Sequence, residues 1–110
     1  MRPRTPDEIL VEINQHRSEL MRGSSALYEA ELAAERAGDA AKLAENRVFM
    51  TAEGSIPDRQ AVAHKASRVE RDAAFVARAE HNRIKSKIRG LEQSLTSLQS
   101  ELKWSREAGA

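Results

Sequence analysis

The chain has 110 residues, is 40% hydrophobic but only 4% aromatic, is 32% charged, and carries a formal net charge of +1. That near-neutral charge excludes a whole-molecule field for recruiting nucleic acid or a membrane surface, and the lack of cysteine excludes disulfide frameworks, thiolate zinc sites and thiol nucleophiles. So few large apolar side chains exclude a conventional single core; the Ala/Glu/Lys/Leu/Arg profile is that of long helices.

In chain order, residues 1–5 read as a short basic tail, 6–50 as a first helix, 51–57 as a turn and 58–107 as a second helix, the helices and turn making one domain over 6–107. Met1-Arg2-Pro3-Arg4-Thr5-Pro6 runs into Asp7-Glu8 rather than into an apolar stretch, so no export signal is expected there and a cytoplasmic location is. Thr5-Pro6-Asp7-Glu8 is a helix start: Thr5 can cap, Pro6 suits the first helical position, and Glu8 completes a capping box.

From there a heptad phase runs through Ile13, Leu20, Leu27, Ala34, Ala41 and Val48, with Ile9, His16, Gly23, Ala30, Ala37 and Ala44 as partner positions. Gly23-Ser24-Ser25 could kink or break this helix, but the phase is the same on both sides, which favours continuity. Gly54 suits a left-handed C-terminal cap, Ser55 can cap the next helix, and Pro57 fits its first turn. Phe49, Met50, Ile56 and Val62 could form a small apolar plug under the turn.

The second helix contains no proline over 58–107, and unbroken it would run on the order of 75 Å. Its later half carries Ile84, Ile88, Leu91, Leu95, Leu98 and Leu102 in alternating steps of four and three, one narrow apolar seam. Its earlier seam reads as Val62, Ala66, Val69, Ala73, then Val76 or Ala77, an eleven-residue spacing that implies a stutter before strict heptads resume at Ile84.

Two long helices joined by a short turn must run antiparallel. The expected fold class is therefore all-α, an antiparallel coiled-coil hairpin dimerising into a four-helix bundle. With the turn at Gly54, facing positions sum to about 108 on simple hairpin geometry. Leu20 then meets Ile88, Ile13 meets Leu95, and Ala34 meets Ala74, large against large at the open end and alanine against alanine near the turn. Residues 28–45 are mostly acidic and 59–78 mostly basic, so Glu31 should lie near Arg78, Glu35 near Arg71 and Asp39 near Arg68. Such exposed pairs contribute under about 1 kcal/mol each and serve mainly to set register.

Three groups of residues carry candidate chemistry. Arg83, Lys85, Lys87 and Arg89, with Arg17 and Arg22, could form a basic collar that contacts phosphates. No aromatic interleaves it for base stacking, and a solvated coiled-coil flank is the favoured account. Leu10, Met21, Tyr28 and Trp104 lie off the seams, and beside Leu98 and Leu102 they form the expected surface for self-association or a partner; Phe49 and Phe75 are off-seam as well. His16, His64 and His81 show no metal-ligand spacing, although His16 occupies a seam position where a polar group can select register. No phosphate loop, nucleophile elbow or enclosed catalytic set is present, so no enzyme, cofactor or metal is expected.

Ala79-Glu80, Ile84-Lys85-Ser86-Lys87-Ile88-Arg89-Gly90-Leu91 and Ser97-Leu98-Gln99-Ser100-Glu101-Leu102-Lys103-Trp104, with the Ala/Glu-rich first helix and the Thr51 turn, resemble small helical coiled-coil proteins of tailed bacteriophages. Such proteins are often encoded near replication or recombination genes. The resemblance spans roughly residues 25–107 and implies a setting, a phage gene product in a bacterial cytoplasm, rather than an activity. The expected function is a non-enzymatic protein that binds itself and a phage or host protein through helical faces. The alternative is a nucleic-acid-binding accessory to phage replication or recombination acting through the 83–89 collar; no membrane partner is expected.

Overall fold

The computed structural model describes residues 4–109, so residues 1–3 of the expected basic tail lie outside the described part. The protein is all-α, with three helices and no strand among the described residues: α1 Pro6–Thr51, α2 Ile56–Ala66 and α3 Arg68–Gly109. It divides into two compact units, one formed by Met1–Leu27 with Ile84–Ala110 and the other by Tyr28–Arg83.

Local chemistry sets the helix ends. The Glu8 N–H donates to Thr5 Oγ1 at 3.2 Å and the Ile9 N–H to the Thr5 carbonyl at 3.1 Å, satisfying two of the first-turn donors. α1 then passes through Gly23-Ser24-Ser25 without a break. Ser24 does not cap a new helix; its hydroxyl donates to the Leu20 carbonyl at 3.0 Å. Gly23 reflects close packing, because a Cβ there would stand 3.2 Å from Ile88 Cγ1.

After α1 the chain turns at Gly54, whose φ of +109° is accessible to glycine at little cost. Ser55 caps α2 by accepting from the Asp58 N–H at 3.3 Å, and Pro57 sits in the first turn, so the helix begins two residues earlier than the sequence suggests. The expected plug under the turn does not form. Met50, Ile56 and Val62 are at least half exposed. The Arg59 guanidinium instead lies 4.4 Å from the centre of the Phe49 ring and donates to the Phe49 carbonyl at 2.8 and 3.1 Å. A cation over a ring face with two hydrogen bonds to the end of α1 is a better closure than exposed aliphatic tips could make.

The single helix expected over 58–107 is two helices that meet at Ser67. This serine is fully buried with φ −94° and ψ 13°. Its hydroxyl donates to the Ala63 carbonyl at 2.9 Å and approaches the His64 carbonyl at 3.3 Å. Such back-bonding competes with the backbone ladder and bends helices. The Arg71 guanidinium takes the His64 carbonyl at 2.6 Å and the Ser67 hydroxyl at 3.4 Å, while the Arg71 N–H still reaches the Ser67 carbonyl at 2.9 Å. The junction is a kink, not a separation.

The expected stutter is also corrected. The less exposed positions from Ala63 onward include Ser67, Glu70, Ala74, Ala77, His81, Ile84, Ile88, Leu91, Leu95, Leu98, Leu102 and Ser105, an unbroken alternation of fours and threes. Arg71 and Glu101, one residue off this seam, are partly covered as well. Val62, Ala66, Val69, Ala73 and Val76 each fall one residue before the seam and are exposed. The greater hydrophobicity of valine does not win the core position, because helices approaching closely at small residues have no room for it there. Glu70 occupies a seam position, and its Oε2 is buried with no hydrogen-bond partner.

In the unit that holds both chain ends, Ile9, Ile13 and Leu98 form a buried cluster with Leu95 and Leu102 packed on it. In the other unit the fully or nearly enclosed residues are Ala41, Ala63 and Ser67. Gly38 and Gly90 are helical, and a Cβ at either would meet nothing within 4 Å. Gly38→Ala and Gly90→Ala should therefore each raise stability by about 1 kcal/mol by lowering unfolded-chain entropy. Urea unfolding followed by circular dichroism measures this, and a loss of stability at either site would contradict the open space around it.

Candidate interaction surface

The residues expected to make a self-association or partner surface separate into two classes. Leu98 and Leu102 belong to the core: Leu98 is only 6% exposed and Leu102 packs against its cluster. Leu98 lies seven residues after Leu91 on the continuing seam, and that placement decides its burial. Leu10 is half-buried, while Met21, Tyr28 and Trp104 stand exposed.

The basic collar does not form one face. Arg83 is engaged with Glu80, donating through Nη2 at 2.6 Å and Nε at 3.0 Å. These bonds hold the Glu80 carboxyl below its ordinary range and raise the Arg83 guanidinium. Lys85 and Arg89 are four residues apart and share one side of α3, and Arg83 and Lys87, also four apart, share another.

Where the sequence suggested only a tail, the structure places an ionic clasp. Arg4 donates through Nε to Glu101 Oε1 at 3.0 Å, and its Nη atoms engage Glu101 and Glu12. The hydrogen bond to Glu101 raises the Arg4 pKa above its already high ordinary value. Since these groups are exposed, the clasp positions the chain more than it stabilises it.

In the unit Tyr28–Arg83, Glu31, Glu35 and Lys42 from α1 and Arg78 and Asn82 from α3 line one groove. Glu31 and Arg78 thus share a wall, as their charges suggest. Arg71 and Arg68 take other partners than Glu35 and Asp39: Arg71 is drawn to the carbonyl at the Ser67 kink, and Arg68 lies 3.8 Å from Asp72 on its own helix. A partner one turn away on the same helix requires less ordering than one across the seam.

The apolar residues one position before the seam escape a reading by hydrophobicity, which assigns them to the core. Counting back in sevens from Ile84 gives Ala77, Glu70 and Ala63, and from Ile88 gives His81, Ala74 and Ser67. That count is the signal that separates seam from surface.

His16 Nδ1 lies 2.9 Å from the Glu12 carbonyl, a hydrogen bond within its own helix. Among the described residues there is no group of three or more His, Cys, Asp or Glu able to hold a metal, and no helix long and apolar enough to cross a membrane. No family model, curated protein or solved structure matches this chain.

Proposed function

We propose that this chain is a non-enzymatic interaction protein: an antiparallel coiled-coil hairpin that self-associates, two hairpins to a four-helix bundle, and offers its remaining helical faces to a protein partner. The observation that carries this is the amount of large apolar side chain left outside the seam, with Met21, Tyr28, Phe75 and Trp104 all about two-thirds exposed or more. Single exposed residues need no explanation, but a concentration of them on so small a chain marks surface that is covered in use.

The hairpin itself is supported by contacts whose residue numbers add to nearly one value within each unit: Gly23 beside Ile88, Ile13 in one cluster with Leu98, and Arg59 on Phe49. The setting implied by the sequence resemblance, a bacteriophage product acting on a phage or host protein in the bacterial cytoplasm, belongs to the same proposal. The test is the solution mass of the purified full chain at micromolar concentration by light scattering. A mass of twice 12.2 kDa or more is expected; a clean 12.2 kDa monomer overturns the self-association.

A further inference from the structure

Within the unit Tyr28–Arg83 the two sides of the seam differ in chemistry. The groove side is lined by residues that follow seam positions, among them Glu31, Glu35 and Lys42 on α1 and Arg78 and Asn82 on α3. The other side carries the residues that precede seam positions. On α2 and α3 these are Val62, Ala66, Val69, Ala73 and Val76, with steps of four and three, all exposed. Val69 is 77% exposed although it lies mid-helix. Leu43 and Met50 of α1 also precede seam-phase positions and are at least half exposed. Arg47 is the charge between them on that side, and its long stem can lie along apolar surface with the guanidinium at the rim.

We infer that this face is where a second copy of the chain docks, its α2–α3 stripe running antiparallel against the first; the inference rests on the self-association proposed above and names its site. Three features favour a second copy over a foreign helix. The stripe has the same four-three spacing as a coiled-coil seam, so it can mesh with itself. Run antiparallel, Val62 comes beside Ala73 of the second copy and Ala66 beside Val69, large against small in both pairs.

Charge is self-complementary in the same register. Lys65 and Asp72 each lie one residue further out than the stripe and are exposed. The antiparallel arrangement brings Lys65 beside Asp72 of the second copy, twice by symmetry. The Arg68–Asp72 contact, at 3.8 Å and well exposed, leaves that carboxylate open to a closer cation. The face is also more apolar than scattered surface residues would make it: three valines, a leucine and a methionine are at least half exposed, with alanines between the valines.

The test compares solution mass across a concentration series for the full chain, for Val69→Glu with Val76→Glu, and for Val11→Glu with Ser86→Glu, the last pair being exposed residues away from every surface named above. Circular dichroism checks that each remains helical, which the exposure of all four side chains favours. The valine variant should weaken dimerisation by at least about tenfold in Kd, a difference well resolved by such a series, while the other variant should leave it unchanged. Lys65→Asp should weaken it too, and Lys65→Asp with Asp72→Lys should restore it. A wild-type monomer overturns both this inference and the proposed function. A wild-type dimer that ignores the valine variant overturns the face named here and leaves self-association standing. Lack of rescue by the charge swap, with the valine variant monomeric, overturns the antiparallel register.

Discussion

Ile13→Ala should lower the free energy of unfolding by about 2–5 kcal/mol, the usual cost of deleting most of a fully buried aliphatic side chain. Ile13 is 2% exposed and is one of three residues in the buried cluster with Ile9 and Leu98. The substitution removes apolar area from that cluster and leaves a void that Leu95 and Leu102, the partly buried residues packed on it, fill only in part. In most proteins such a loss is one among many. Here the buried hydrophobic residues among those described number five, and two of those are alanines, so the same loss is a large share of a typical total of about 5–15 kcal/mol. Val11→Ala on the exposed side of the same helix should change stability by less than about 0.5 kcal/mol. Both are measured by urea unfolding at one fixed protein concentration, because association couples stability to concentration. Equal effects at the two sites would show that the open-end cluster is not what holds that unit together.

Ala63→Leu should destabilise by about 1–3 kcal/mol, although leucine is the better helix former among larger side chains and more hydrophobic than alanine. Ala63 has no exposed surface, its carbonyl accepts the Ser67 hydroxyl, and Ser67 is fully enclosed as well. Added methylenes there have nowhere to go without separating the packed helices. Ala61→Leu, two residues earlier and exposed, is the control and should be close to neutral. Thermal melts of the two variants decide the point: a stabilised Ala63→Leu would mean that the small-residue seam has slack.

These two sites mark what was legible in the sequence. At the open end the large residues and the seam coincide, so Ile13, Leu20, Ile88, Leu95 and Leu98 declare the phase at once. Thr5, Gly54 and Ser55 declare the helix ends, because each has a specific hydrogen-bonding or conformational role that few residues share. Near the turn the two criteria part. Valine is more hydrophobic than alanine or serine, so reading by hydrophobicity selects Val62, Val69 and Val76 and invents a stutter to reconcile them with Ile84. Close approach selects the smaller Ala63, Ser67 and Ala74 instead, and packing decides. The Ser67 kink was illegible for a related reason: a serine inside a helix either points outward or borrows a carbonyl, and only its burial settles which. For the surface, the exposed Met21, Tyr28 and Trp104 could be read directly, whereas the valine stripe required the seam to be placed first.

The Arg4 clasp has a consequence for how the molecule can be rewired. It ties residues separated by 97 positions along the polypeptide, so the outermost turns of the two arms of this unit are neighbours in space. A short flexible linker could join them while new termini are opened at Gly54, whose surroundings are exposed. Such a permutant would be synthesised with α2 and α3 ahead of α1. The contacts within each unit would then form in the reverse order of synthesis.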